Sequence, residues 1–123
     1  MAGFKVWLCV LVLLLPGQAV AQTYLLMVEE EGCYWCDKWD SEISHIYPKT
    51  AEGKTAPLVR HDRQEAMPDR FALKQPVSFT PTFVLLHEGQ EVGRMEGYPG
   101  EDIFWGLLTM MFDQAQITLD DTR

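Results

Sequence analysis

Apolar and polar residues follow several different periods along this chain, and each period predicts an element. Residues 23–30, TYLLMVEE, form a short apolar run rich in strand formers, the pattern of a buried strand, and Gly32 breaks it. From residue 33 to 47 the apolar positions are Trp35 and Trp39, then Ile43, then Ile46 and Tyr47, spaced by three or four. That spacing is one face of a helix, and Pro48 is expected to end it. The following PKTAEGKT reads as a loop, and APLVRHD, residues 56–62, as a second strand. RQEAMPDRFALKQP is interrupted by Pro68 and Pro76 and is expected to be irregular, with one short helix at residues 69–73.

The second half carries a stronger pattern. Residues 82–87 are apolar and β-rich, Glu88-Gly89 is a turn, and residues 90–96 alternate with Val92 and Met95 inward, which predicts a β-hairpin. After Pro99-Gly100 a helix begins, with Glu101 and Asp102 in the first turn, where acids suit the helix dipole. Ile103, Phe104, Leu107, Leu108, Met111 and Phe112 are its expected buried stripe, with the adjacent Met110 and Met111 read as core filling. The element order is β-α-β-(α)-β-β-α. A helix between the first two strands implies a parallel pair with a right-handed crossover. The expected fold is α/β, a compact four-stranded mixed sheet with helices on both faces. There is no internal repeat, low-complexity tract or linker.

The N-terminus changes what is counted. Lys5, then an apolar run at residues 6–15, then Pro16-Gly17 and Ala19-Val20-Ala21 make a positive start, an apolar core and an A-x-A site. Together these read as a secretory signal peptide over residues 1–21, cleaved near Ala21, which directs export. The run is short of the roughly 20 apolar residues of a spanning helix, so an uncleaved anchor is the weaker alternative. Cys9 lies inside the run without the small residues expected of a lipoprotein site. Residues 22–123 are then one domain.

The net charge of the whole chain is −8, and loss of Lys5 makes it one unit more negative. Such acidity argues against nucleic acid and against anionic membrane surfaces as partners. Of the three cysteines, Cys9 leaves with the signal, and Cys33 and Cys36 remain.

Those two stand in GCYWC, where the first strand hands over to the first helix. Cys33 is expected at the helix N-terminus, facing unpaired N–H groups and the positive end of the dipole, which favours thiolate. Cys36 lies one turn later on the same side, close enough to pair with Cys33. In that arrangement the outer sulfur attacks a foreign disulfide and the inner one resolves the mixed disulfide. Other uses of a C-x-x-C pair fit less well. Structural zinc needs four ligands, and His45, His61 and His87 show no paired spacing. A c-type haem needs histidine directly after the second cysteine, where Asp37 stands. An inert structural disulfide closing so short a loop adds little stability.

The C-x-x-C at a strand–helix junction, followed by FTPTFVLL before a hairpin and a final helix, resembles the thioredoxin superfamily. The resemblance implies a cis-proline before the third core strand, facing the active-site sulfurs, at Pro81. It also implies that the backbone around Thr80 pairs with a substrate strand. The stretch GCYWCDKWDSEISHIYPKTAEGKTAPLVRHD resembles more closely the periplasmic thioredoxins that accompany bacterial sulfur-oxidation (Sox) systems. It shares their tryptophan three residues after the second cysteine and their Y-P-x-T-x-E-G-x-x-A-P-L run. That likeness implies a thiol–disulfide reductase that keeps a sulfur-carrier protein's cysteine reduced and draws electrons from a membrane thiol donor. The expected partner is therefore a protein with a disulfide or modified cysteine. The chain is expected to act as a monomer without bound cofactor or metal.

Some features depart from the wider family. The chain has no room for the extra N-terminal strand and helix of full thioredoxin. The inward part of its first strand, YLLMV, holds no acid beneath the resolving cysteine, so proton transfer to Cys36 falls to Glu29 or water. Glu29, Glu30, Glu31 and Asp37 near the pair disfavour thiolate, and a modest depression of the Cys33 pKa points to a reductase rather than a strong oxidant. Trp35 is expected to be exposed and to offer a partner an apolar contact, whereas Trp39 lies on the helix's core face. His61 and His87 have no assigned role. A metal or copper chaperone and a non-catalytic binding module are the alternative functions.

Overall fold

The computed structural model describes residues 2–4 and 22–120. The expected signal segment and its cleavage site lie outside the described residues, apart from residues 2–4. Among the described residues no helix is long and apolar enough to cross a membrane.

Among the described residues a single sheet of four strands organises the fold. β1 (Thr23–Glu29), β2 (Leu58–Asp62), β3 (Thr82–His87) and β4 (Gln90–Glu96) lie in the order β2-β1-β3-β4. β1 pairs parallel to β2 and antiparallel to β3, and β3 pairs antiparallel to β4. This is the expected mixed sheet. β1 and β3 hold the centre, and their apolar runs are buried on both faces, as unbroken rather than alternating hydrophobicity requires. The hairpin turn places Glu88 and Gly89 at positive φ, the geometry that matches strand twist in a two-residue loop.

The layers differ from the expectation in one respect. Leu25, Met27, Phe83 and Leu85 face one side of the sheet, and there they meet Trp39, Ile43, Tyr47, Phe104, Leu108, Met111 and Phe112. The first helical stretch and the last helix thus share a face. The other side, Leu26, Val28, Val84 and Leu86, is covered by Phe71 with Met67, Leu73 and Val77, from a segment without a helix. The short helix expected at residues 69–73 does not form. Ala72 instead bridges to Gln90, its N–H donating to Gly89 O at 2.7 Å and its carbonyl accepting from Glu91 N at 3.1 Å. Between two prolines, extended pairing against the hairpin satisfies these groups better than one isolated helical turn.

Three helical boundaries also shift. α1 spans Tyr34–Trp39 and widens into a π-helical turn at Asp40–Ser44. Ser41 and Ser44 donate their hydroxyls back to Lys38 O and Asp40 O, a local competition that loosens helices. Pro48 sits inside a 3₁₀ turn, Tyr47–Lys49, rather than ending the long helix. The expected loop then contains α2 (Ala51–Thr55), capped by the Thr50 hydroxyl, which accepts from Gly53 N at 3.0 Å.

α3 (Glu101–Gln114) begins where expected but buries a narrower stripe, Phe104, Leu108, Met111 and Phe112. Ile103, Leu107 and Met110 are exposed. A helix lying on one sheet face covers only part of its circumference, and the expected stripe was wider than that contact.

Candidate active site

The C-terminal end of β1 and the N-terminal end of β3 are paired as far as Val28 and Thr82. The segment after β1 and the loop before β3 therefore emerge at one end of the sheet. The first carries Cys33 and Cys36; the second carries Thr80 and Pro81.

Gly32, at φ +78, turns the chain from β1 into α1, and Cys33 is the N-cap residue of that helix. Its sulfur accepts a hydrogen bond from the Cys36 N–H at 3.1 Å, so an orphan donor of the first turn points at the outer sulfur. Cys33 is partly exposed, whereas Cys36 is 3% exposed and packs in the main core with Met27 and Trp39. The two are joined as a disulfide, with Cα atoms 5.2 Å apart. A partly exposed outer cysteine backed by a buried inner one is the asymmetry needed for attack followed by resolution.

The surrounding surface is aromatic and open. Tyr34 and Trp35 are exposed and meet edge to face with ring centroids 5.0 Å apart. Lys38 Nζ lies 5.7 Å from the Trp35 ring centroid. Tyr34 also borders an open groove with Asp37, Lys38, Ser41 and Glu42. Phe79, two residues before Pro81, is exposed as well. Neither Tyr34 nor Phe79 stands out by periodicity; for Phe79 the signal in the sequence is an aromatic next to a Thr-Pro dipeptide. Trp39, by contrast, is wholly buried against Phe83, Phe104 and Tyr47.

The Thr80–Pro81 peptide bond is cis, as the resemblance implied. Pro81 is buried, and its carbonyl accepts from Gly97 N at 2.7 Å. Neither the N–H nor the C=O of Thr80 takes part in a backbone hydrogen bond among the described residues.

Two of the acids next to the motif have cationic partners. Arg60 donates to Glu29 Oε2 at 2.6 Å and also pairs with Asp40, with its guanidinium 5.8 Å from the Trp39 ring. The Asp40 hydrogen bond is the main reason its pKa rises, so Arg60 stays cationic. Arg63 Nη1 lies 3.4 Å from Glu30 Oε1, the same oxygen that accepts from the Thr80 hydroxyl at 3.0 Å. The negative field expected near Cys33 is therefore partly compensated by two arginines. Glu29, the acid nearest the end of β1, is engaged in the ion pair with Arg60.

In the π-helical turn after α1, Glu42 Oε2 accepts from the Tyr98 hydroxyl at 3.1 Å. The phenol is pushed up to about 12, first by loss of water and then by Glu42 and Glu101. Two histidines are engaged locally, His61 with Glu65 O and His87 with Thr23. Among the described residues no group of three or more His, Cys, Asp or Glu side chains is arranged to hold a metal ion.

Residues 18–112 match the model of the thioredoxin-like domain family. No curated protein matches the chain significantly. Among solved structures, the reduced form of the periplasmic thioredoxin SoxS from Paracoccus pantotrophus is similar, with 48% identity and a TM-score of 0.75. The match covers 76% of this chain and 99% of that one. The family model spans most of the chain, including the bonded Cys33–Cys36 pair, and on that ground the chain belongs to the thioredoxin-like domain family and is a thiol–disulfide oxidoreductase.

Proposed function

We propose that this protein is a periplasmic reductase that returns an oxidised cysteine of a partner protein to the thiol. In the reduced enzyme the Cys33 thiolate attacks one sulfur of the partner's disulfide or mixed disulfide and expels the other as thiolate. Cys36, once deprotonated, attacks Cys33 Sγ and releases the partner's second sulfur as thiolate. The partner gains two electrons, its thiolates take up protons from water, and the enzyme is left in the Cys33–Cys36 disulfide form described above. A membrane dithiol donor then restores the pair, and no bound cofactor or metal takes part. The buried Cys36 has no carboxylic acid below it on β1, where Met27 stands in the same core cluster, so its proton leaves to water.

The observation that carries this reading is the unequal burial of the two cysteines at the start of α1, with the Cys36 N–H directed at Cys33 Sγ. Thr80 and Pro81 form the wall that receives the substrate strand, and Trp35 supplies an apolar contact. The likeness to a periplasmic Sox thioredoxin supports an exported location after removal of residues 1–21. It also supports a sulfur-oxidation carrier protein as the partner.

Insulin reduction with a dithiol donor tests the chemistry. Cys33→Ser is expected to abolish turnover, and an unaffected rate would overturn the assignment. Cys36→Ser is expected to arrest the mixed disulfide, so that mass spectrometry of the trapped species identifies the partner. Trapping only unrelated proteins would exclude the sulfur-carrier reading.

A further inference from the structure

We infer that Glu30 is a positioning residue for substrate binding, its carboxylate holding the Thr80 side chain so that the Thr80 backbone is presented to the substrate strand. The inference rests on the reductase reading above and adds to it a residue outside both the cysteine motif and the Thr80–Pro81 loop.

The register carries the argument. The antiparallel pairing of β1 with β3 ends at Val28 opposite Thr82. Continued by one same-face step, it would set Glu30 opposite Thr80. Backbone pairing has stopped there, but the link continues through side chains: Thr80 Oγ1 donates to Glu30 Oε1 at 3.0 Å. Directly opposed same-face residues are the pairs that interact most strongly between antiparallel strands. A ladder hydrogen bond at this position would consume the Thr80 backbone groups. The side-chain bond holds the loop equally close and leaves the Thr80 N–H and C=O unengaged among the described residues.

Two further features suit the role. Arg63 Nη1 approaches the same carboxylate oxygen at 3.4 Å, which favours the charged acceptor and aims it. Glu30 also lies on the short connection between β1 and Cys33. One carboxylate therefore ties the chain bearing the nucleophile to the loop that carries Thr80 and Pro81, and so would fix the gap between them. Pre-setting that gap lowers the ordering cost of binding.

The test compares Glu30→Ala with Glu30→Gln, because glutamine keeps an acceptor for the Thr80 hydroxyl while losing the charge. Glu30→Ala is expected to raise KM for insulin about tenfold or more, the scale of losing one hydrogen bond to a charged group. Its kcat, and its rate with a small aromatic disulfide that needs no strand pairing, should change far less. Glu30→Gln is expected to restore KM to near wild type. In a Thr80→Val background, Glu30→Ala is expected to add no further rise. Wild-type KM in Glu30→Ala would overturn the inference. It would also fall if Glu30→Gln behaved as Glu30→Ala while the Cys33 pKa, followed by thiolate absorbance, shifted in both, since the effect would then be electrostatic. A wild-type protein unable to reduce insulin would instead defeat the reductase reading on which the inference stands.

Discussion

Arg94 and Glu91 form an ion pair almost out of water: Nη2 and Oε1 are 2.8 Å apart and the side chains are 9% and 6% exposed. Arg94 also donates to Gln75 O at 2.7 Å and Pro76 O at 3.2 Å, and Lys74 N donates to Glu91 Oε1 at 3.3 Å. The pair clips the segment before Thr80 onto β4, on the sheet face that carries no helix among the described residues. Removing Arg94 leaves the buried Glu91 carboxylate without its cation, whereas removing Glu91 leaves Arg94 with Glu96 Oε1 at 3.9 Å. Arg94→Ala should therefore cost about 3–5 kcal/mol in urea unfolding and Glu91→Ala less, and a matched apolar pair at both positions should recover much of the loss.

Two tryptophans four residues apart should behave oppositely. Trp39 is wholly buried, with ring centroids 5.3 Å from Phe83 and 5.9 Å from Phe104. Trp39→Ala is expected to cost about 3–5 kcal/mol through the lost burial and the cavity left behind. Trp35 is half exposed, so Trp35→Ala should leave the melting temperature nearly unchanged and raise KM for a protein substrate. Equal losses of stability in the two variants would contradict this division.

Alkaline pH should weaken the fold through two phenols. Tyr98 has its pKa pushed up to about 12 by burial and by Glu42 and Glu101, and burial and then Glu52 raise that of Tyr47 still further. Both are therefore easier to ionise when the chain is unfolded, where the value is about 10. Their stabilising contribution is complete below about pH 10 and is lost as pH rises through the folded value. The Tyr47 O–H donates to Ala56 O at 2.7 Å, a bond that ionisation removes. Melting temperature should fall above pH 10, and less steeply in Tyr98→Phe.

Gly53 and Gly106 offer a contrast at one atom's scale. A Cβ on Gly53 would land on the Tyr47 carbonyl, whereas one on Gly106 meets nothing within 4 Å. Gly53→Ala should force α2 away from the preceding turn and destabilise by about 2 kcal/mol or more. Gly106→Ala, on the exposed face of α3, should stabilise by about 0.5–1 kcal/mol. Thermal melts of the two variants check both signs.

The amino-acid sequence alone determined the four strands, the hairpin, the last helix and the cysteine pair at the first strand–helix junction, because each rests on neighbouring residues. Continuous apolar runs, a Glu-Gly turn and a C-x-x-C motif are local patterns that need no partner to be legible. The tertiary structure decided the rest. Which side of α3 is buried depends on the sheet it meets, so Ile103 and Leu107 turned out exposed. Whether residues 69–73 coil or extend depends on the hairpin edge that pairs with Ala72. The fates of the acids before Cys33 depend on Arg60, Arg63 and Thr80, brought from 31, 33 and 50 residues away. Side-chain charges act over a few ångströms, and only the folded chain sets which of them come that close.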